Sequence, residues 1–172
     1  SGVLLFALNP EFAKVLSEEF AQRRVEKSYL AVVRGRPPAH AIIDYPLKEE
    51  LDPLGDPQAR HDKPAQEAIT HVLTLASIEL PIQVDRYPTS RYSLVQAVPK
   101  TGRRHQIRRH LRHLGHPIIG DVNHGVGKHN RFFAENFGSR RLLLACTDLK
   151  FHHPLLKTDI CIRAPLCEDY AG

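Results

Sequence analysis

The chain has 172 residues, 42% of them hydrophobic, which suits one domain with an ordinary core, and a second domain is not expected. No apolar run approaches the roughly eighteen residues of a membrane span, and the opening stretch lacks a basic leader, so a soluble, cytoplasmic protein without membrane contact is expected. Cys146, Cys161 and Cys167 form no C-x-x-C pair and read as reduced thiols, and the net charge of +5 is modest.

The apolar run Val3 to Leu8 reads as a buried strand, and with no initiator methionine before it the natural chain is expected to begin upstream of Ser1. Asn9-Pro10-Glu11 then supplies an N-cap, an N1 proline and a first-turn acid for a helix to about Arg23, with Phe12, Leu16 and Phe20 as its apolar stripe. Tyr29 to Val33 and Ala41 to Tyr45 read as short strands, the first ended by Arg34-Gly35-Arg36-Pro37-Pro38. Residues 48 to 66, with Pro53, Pro57 and Pro64, read as a surface loop inside a single domain. Further strands are predicted at Ala68 to Ala76, Tyr92 to Val98, Leu142 to Lys150 and Asp159 to Ala164, with only one other helix. Strands outnumber helices and do not alternate with them, so the fold class is α+β.

That other helix runs from Arg103 to Leu114. Ile107, Leu111 and Leu114 make a narrow apolar stripe, Arg104, Arg108 and Arg112 an adjacent basic row, and Gly115 and His116-Pro117 end it. Residues 100 to 131 hold eight bases (Lys100, Arg103, Arg104, Arg108, Arg109, Arg112, Lys128, Arg131) against one acid, Asp121, and six of the eleven histidines. A cluster of like charges costs self-repulsion unless phosphates or carboxylates neutralise it, so a polyanion is the expected partner.

The segment Lys100-Thr101-Gly102-Arg103-Arg104-His105-Gln106-Ile107-Arg108-Arg109-His110-Leu111, continuing through Gly115-His116-Pro117-Ile118-Ile119-Gly120-Asp121, resembles the signature of the RluA-type pseudouridine synthases. Three further boxes agree in order and spacing: Ser1 to Phe6, Lys27 to Gly35, and Arg141 to Leu144 leading to Phe151-His152-His153-Pro154. Asp44 to Leu47, Arg86 to Tyr92 and Asn130 to Phe133 with Phe137-Gly138 are similar to a tRNA-acting branch of that family. The resemblance implies a mostly antiparallel mixed sheet with few helices and a central RNA-binding cleft. It also implies isomerisation of a uridine in tRNA, or alternatively ribosomal RNA, with no cofactor and no metal; the sequence leaves the oligomeric state open, a monomer being expected.

In the family a catalytic aspartate lies in an Arg-Leu-Asp-Arg-Pro-Thr box that runs directly into the Ser-Gly seen here at Ser1-Gly2. That places it four residues ahead of Ser1, outside this chain, which is therefore expected to be truncated and inactive alone. Tyr29 matches the family tyrosine that stacks on the flipped base and is a candidate for taking the released proton. Arg108 matches the arginine that pairs with the aspartate through its planar fork. Gly102, Arg103, Arg104, His105 and Gln106, at the start of the helix, and Arg109 and Arg112 along it, are expected to contact RNA. Where the family commonly shows His-Ala this chain has Ala145-Cys146, and no role is expected there.

Two other functions compete. Without the aspartate box the chain is an RNA-binding module without chemistry. His110, His113 and His116 suggest a metallohydrolase, which the arginines interleaved among them disfavour.

Overall fold

The computed structural model describes residues 1–49, 64–153 and 156–165. Helix α1 spans Pro10–Ala21, and Asn9 Oδ1 accepts the Phe12 N–H at 2.8 Å, the cap its sequence called for. Strands β1 (Glu26–Arg34), β2 (His40–Asp44), β3 (Ile69–Leu80) and β4 (Ser90–Pro99) follow, then helices α2 (Gln106–His113) and α3 (Gly127–Asn136), and last β5 (Leu144–His153) and β6 (Thr158–Arg163). The strands form one sheet in the order β2-β3-β4-β1-β5-β6, every pairing antiparallel. This is the α+β, mostly antiparallel architecture expected of the sequence.

Strand β1 is central, and alternation divides its side chains between the two faces. Ala31 and Val33 pack with Val95 and Ala97 of β4, Val72 of β3 and Ile43 of β2, and Ile107 and Leu111 of α2 cover them. On the other face Val32 and Tyr92 pack with Ile119, Phe132 and Leu143. Leu16 of α1 packs with Val25, Leu149 and Phe151.

Three expectations change. Val3 to Leu8 is not a strand: the backbone pairs only at its start, through the bridge Gly2 to Cys146, and while Val3, Leu5 and Ala7 pack inward, Leu4, Phe6 and Leu8 are exposed. The basic helix begins at Gln106 instead of Arg103, because His105 has φ +54° and the Gln106 side chain accepts the Arg103 N–H, winding residues 103 to 105 into a turn. Helix α3 was not foreseen. The predicted loop at 48 to 66 lies mostly outside the described residues, though paired bonds between Leu47 and Gln66, both 2.9 Å, pin its ends together. Pro154 and Cys167 also lie outside them. Among the described residues no helix is long and apolar enough to cross a membrane.

Candidate active site

Tyr29 sits midway along β1, opposite Ala97 on one side and Cys146 on the other. Between Ser28 and Tyr29 the register with β5 slips: Ser28 faces Asp148 and Tyr29 faces Cys146, leaving Thr147 as the extra residue of a bulge. Bulges re-aim side chains and recur beside functional sites. Here the bulge sets the Cys146 side chain beside the Tyr29 ring, both half-buried or more. Cys146 also holds the start of the chain, its N–H donating to the Ser1 carbonyl at 3.0 Å and its carbonyl accepting from Val3 at 2.9 Å.

Burial governs the chemistry on this side. It is the main reason the Tyr29 hydroxyl is pushed up to about 12, with the Cys146 thiol beside it adding to the effect. The Cys146 thiol is itself raised by burial. Lys27, two residues before Tyr29 and on its face, is lowered by burial; its Nζ lies over the Phe20 ring at 5.2 Å and borders Gly102, where an added Cβ would come within 3.9 Å of it. Strand β1 and the loop entering α2 therefore meet at Lys27 and Gly102.

The other side is α2, and its polar residues divide by what they touch. Gln106 is 4% exposed and makes four internal bonds: its Oε1 accepts from Thr101 Oγ1 and Arg103 N, and its Nε2 donates to Ile69 O and Thr70 Oγ1. It ties the loop to β3, and no polar atom of its side chain is left for the RNA contact expected of it. Arg103 donates through Nε to the Glu67 carbonyl at 3.1 Å, and Arg104 and Arg112 are exposed. Arg109 donates to the Lys48 carbonyl at 2.8 Å and Arg112 to the Asn123 carbonyl at 3.3 Å. His105 approaches His124 at 3.4 Å between ring nitrogens.

Arg108 has a partner that its position in the sequence did not announce. Its Nε donates to Asp121 Oδ2 and its Nη2 to Asp121 Oδ1, each at 2.7 Å, with the Asp121 side chain wholly buried and that of Arg108 17% exposed. Burial pushes the Asp121 carboxyl up, but the Arg108 bonds and the His124 N–H outweigh it and hold the group below the ordinary carboxylate range. Gly120, just before Asp121, has φ +78°, and a Cβ there would lie 1.8 Å from the Arg141 carbonyl, so glycine lets that backbone pass beside the pair.

The histidines singled out for a metal turn to separate partners. His110, fully buried, bridges Thr70 Oγ1 and the Tyr45 carbonyl and is lowered by burial; His113 stacks on Tyr45 at 3.7 Å; His116 meets the Arg34 carbonyl at 2.9 Å. No group of three or more His, Cys, Asp or Glu fit to hold a metal occurs among the described residues.

The arrangement joins a desolvated phenol to an arginine-bearing helix. Tyr29 packs against the apolar cluster that contains Ile107, the residue preceding Arg108. The Tyr29 ring can stack a planar base and offer it a neutral hydroxyl, and α2 carries a fixed cation on the residue that follows Ile107. Nothing in the sequence marked Cys146 as a neighbour of this hydroxyl, since a bulge in another strand brings it there, whereas Lys27 lies on the same strand two residues before Tyr29. Asp121 did leave a trace, as the one acid in the basic window.

Comparison with known proteins follows this geometry. The model of the RNA pseudouridylate synthase family matches residues 1–113. The chain is 48% identical over 172 residues to tRNA pseudouridine synthase C of Vibrio cholerae, covering all of this chain and 70% of that protein. It is 47% identical over 170 residues to the protein of the same name from Salmonella typhimurium, covering 99% of this chain and 65% of that one. The chain thus spans about two thirds of the length of these relatives. Among solved structures, Human RNA Pseudouridylate Synthase Domain Containing 1 superposes with a TM-score of 0.68 at 24% identity, over 93% of this chain and 62% of that chain, a likeness of fold. With a sequence match across its whole length and a sheet built to the same plan, the chain belongs to the RNA pseudouridylate synthase family.

Proposed function

We propose that this chain forms the uridine-isomerising site of a tRNA pseudouridine synthase, completed by the aspartate box that the family carries directly ahead of Ser1. The observation that carries the reading is Tyr29 on the central strand, its hydroxyl desolvated and its ring in the apolar cluster under the arginine-bearing helix. The pinning of Ser1 and Val3 to Cys146, the cross-strand neighbour of Tyr29, supports it, because the backbone then enters the sheet beside the phenol.

In this reading a uridine is flipped out of the RNA and its base stacks on the Tyr29 ring. The N1–C1′ bond breaks, the uracil rotates, and C5 bonds to C1′; C5 then loses its proton and N1 gains one. A phenol raised to about 12 is neutral at pH 7, so Tyr29 receives the C5 proton only by handing its own to an acceptor in the same step. Arg108 supplies fixed positive charge beside the aspartate. Asp121 holds Arg108 by Nε and Nη2 and so fixes the direction of that charge. Gly102, Arg103, Arg104, His105, Arg109 and Arg112 carry the RNA backbone, and Gln106 shapes the loop that presents them.

Tritium release from C5-labelled RNA tests this. A chain bearing the Arg-Leu-Asp-Arg-Pro-Thr box ahead of Ser1 is expected to release tritium from tRNA and not from ribosomal RNA, and the 172-residue chain from neither. Equal turnover by the shorter chain would assign the chemistry to an internal acid. Tight tRNA binding without release by the longer one would leave an RNA-binding module. Preference for ribosomal RNA would move the substrate.

A further inference from the structure

Asp121 ends the segment that carries the family resemblance, and the chemistry above uses it for nothing. Its surroundings are nonetheless those of a residue with a task. Oδ2 accepts from Arg108 Nε at 2.7 Å; Oδ1 accepts from Arg108 Nη2 at 2.7 Å, Asn123 N at 3.0 Å and His124 N at 2.8 Å. Its carbonyl accepts from Gly125 N at 3.1 Å and from Asn130 Nδ2 of α3 at 2.9 Å, while Asn130 Oδ1 accepts the Gly120 N–H at 2.8 Å. One buried residue thus joins α2, the turn 121–125 and α3.

The pair is asymmetric, which bears on its purpose. The carboxylate is sealed from solvent and the guanidinium is not. A buried ion pair contributes little net stability compared with apolar residues of the same size, so burial alone gives weak reason to place one here. What a two-point bond supplies is direction. An arginine side chain has many rotamers to lose, and fixing its fork before the RNA arrives removes that entropic cost from the bound complex. The same carboxylate orders the turn whose Asn123 carbonyl receives Arg112 and whose His124 meets His105, so the arginine and the neighbouring basic surface are set together.

We infer that Asp121 is a positioning residue for the isomerisation, holding the guanidinium of Arg108 by Nε and Nη2 and coupling its orientation to the turn 121–125. This rests on the reading that Arg108 works at the uridine. Asp121 acts through Arg108 and touches neither base nor ribose.

The test uses the chain bearing the aspartate box and follows single-turnover rate, tRNA affinity and thermal stability. Asp121→Asn keeps the size of the side chain and loses the charge. It is expected to slow turnover by about 10- to 100-fold, the usual loss when the partner that orients a reacting group is removed, with tRNA affinity within about threefold. Arg108→Lys is expected to slow turnover too, and the double variant Arg108→Lys/Asp121→Asn to be no slower than Arg108→Lys within about threefold, since the aspartate has nothing left to orient. A structural role would instead make the two losses multiply. Should Asp121→Asn not fold, Asp121→Glu keeps the charge but displaces the fork by one methylene, and it is expected to slow turnover with affinity retained. Full turnover by either folded variant at position 121, or multiplying losses in the double variant, would overturn the assignment of Asp121. Full turnover by Arg108→Lys would instead remove Arg108 from the chemistry, and this inference with it.

Discussion

The two walls of the site are made by opposite means. On α2 the polar groups are satisfied in detail: Gln106 makes four internal bonds, His110 two, and Arg108 is gripped at two points. On β1 and β5 the titratable groups are withdrawn from water, and Tyr29 and Cys146 rise while Lys27 falls, each mainly through burial. One wall therefore keeps its charge and fixes its direction, and the other disfavours charge through burial. Preorganised donors matter most where charge develops, and neutral groups where a proton must be exchanged. Substitutions on the two walls should fail in different ways.

The largest effect is expected on the desolvated wall. In the chain bearing the aspartate box, Tyr29→Phe keeps the ring and its stacking and loses the hydroxyl, so turnover should fall by about 10²- to 10⁴-fold with tRNA affinity nearly unchanged. Near-normal turnover would leave Tyr29 as a platform only. The raised phenol also has a stability signature. Its ordinary value is 10.0 and its folded value about 12, so the folded state holds this proton more tightly; the contribution is complete below pH 10 and is lost as pH rises from 10 towards 12. Burial also raises Tyr92, so ultraviolet titration of tyrosinate should show late ionisation from both, and Tyr29→Phe should reduce its amplitude by one tyrosine.

On the charged wall the loss should be smaller and of another kind. Arg108→Lys keeps a positive charge and gives up the fork, and about 2 to 4 kcal/mol of transition-state stabilisation is expected to go, roughly 30- to 1000-fold in single-turnover rate. Arg112→Lys, measured beside it, should change little, because Arg112 is exposed and bonds to a carbonyl. Equal, minor effects in both would erase the distinction between the walls at this position.

How far these walls could be read in the sequence follows from the range of the interactions that build them. Strand positions were legible because apolar residues alternate under a covering helix, and the end of α2 was legible because its cap is local: Gly115 N–H donates to the Arg112 carbonyl and His116 N–H to the Leu111 carbonyl, a Schellman stop. Val3 to Leu8 misled because an unbroken apolar run carries no sign that every second residue faces outward. Helix α3 gave no starting signal, since Val126 stands at its N-cap and makes no side-chain cap bond. Gln106 looked like surface because polarity patterns do not show whether a polar group is satisfied, and it is buried on bonds to residues as far away as Ile69. Tyr29 and Arg108 are singled out by the family signature. Their partners Cys146 and Asp121 are not, because a bulge brings in one and a turn beyond the helix the other.

Gln106 gives an intermediate test, on stability. Gln106→Leu preserves bulk and abandons its partners at Ile69, Thr70, Thr101 and Arg103, so it should cost about 1 to 3 kcal/mol, read as a lowered melting temperature. If the side chain works by shaping the loop, tRNA affinity measured well below that temperature should stay within a small factor. A large loss of affinity with an unchanged melt would make Gln106 an RNA contact after all.

The smallest effect concerns the exposed charges of α2, where the comparison is between direction and mere sign. Residues 100 to 131 carry eight bases against one acid, so tRNA affinity should fall steeply as salt rises, each phosphate neutralised having released condensed counterion. Arg109 and Arg112 each have one guanidinium nitrogen on a backbone carbonyl, that of Lys48 and that of Asn123. A carbonyl is neutral, so the bond to Asn123 steers Arg112 without cancelling its charge, and that arginine contributes to the field over the surface. Arg112→Ala should therefore lower the slope of log affinity against log salt by less than about one unit, as expected for a solvated phosphate contact, and leave turnover at saturating tRNA unchanged. Arg108 differs in that its charge is opposed by the buried carboxylate of Asp121, so Arg108→Lys should alter turnover and leave the slope where it was. A nearly flat salt plot for the parent chain would remove the RNA backbone from this face. Loss of turnover at saturating tRNA in Arg112→Ala would extend the fixed wall from Arg108 to its neighbour one turn along.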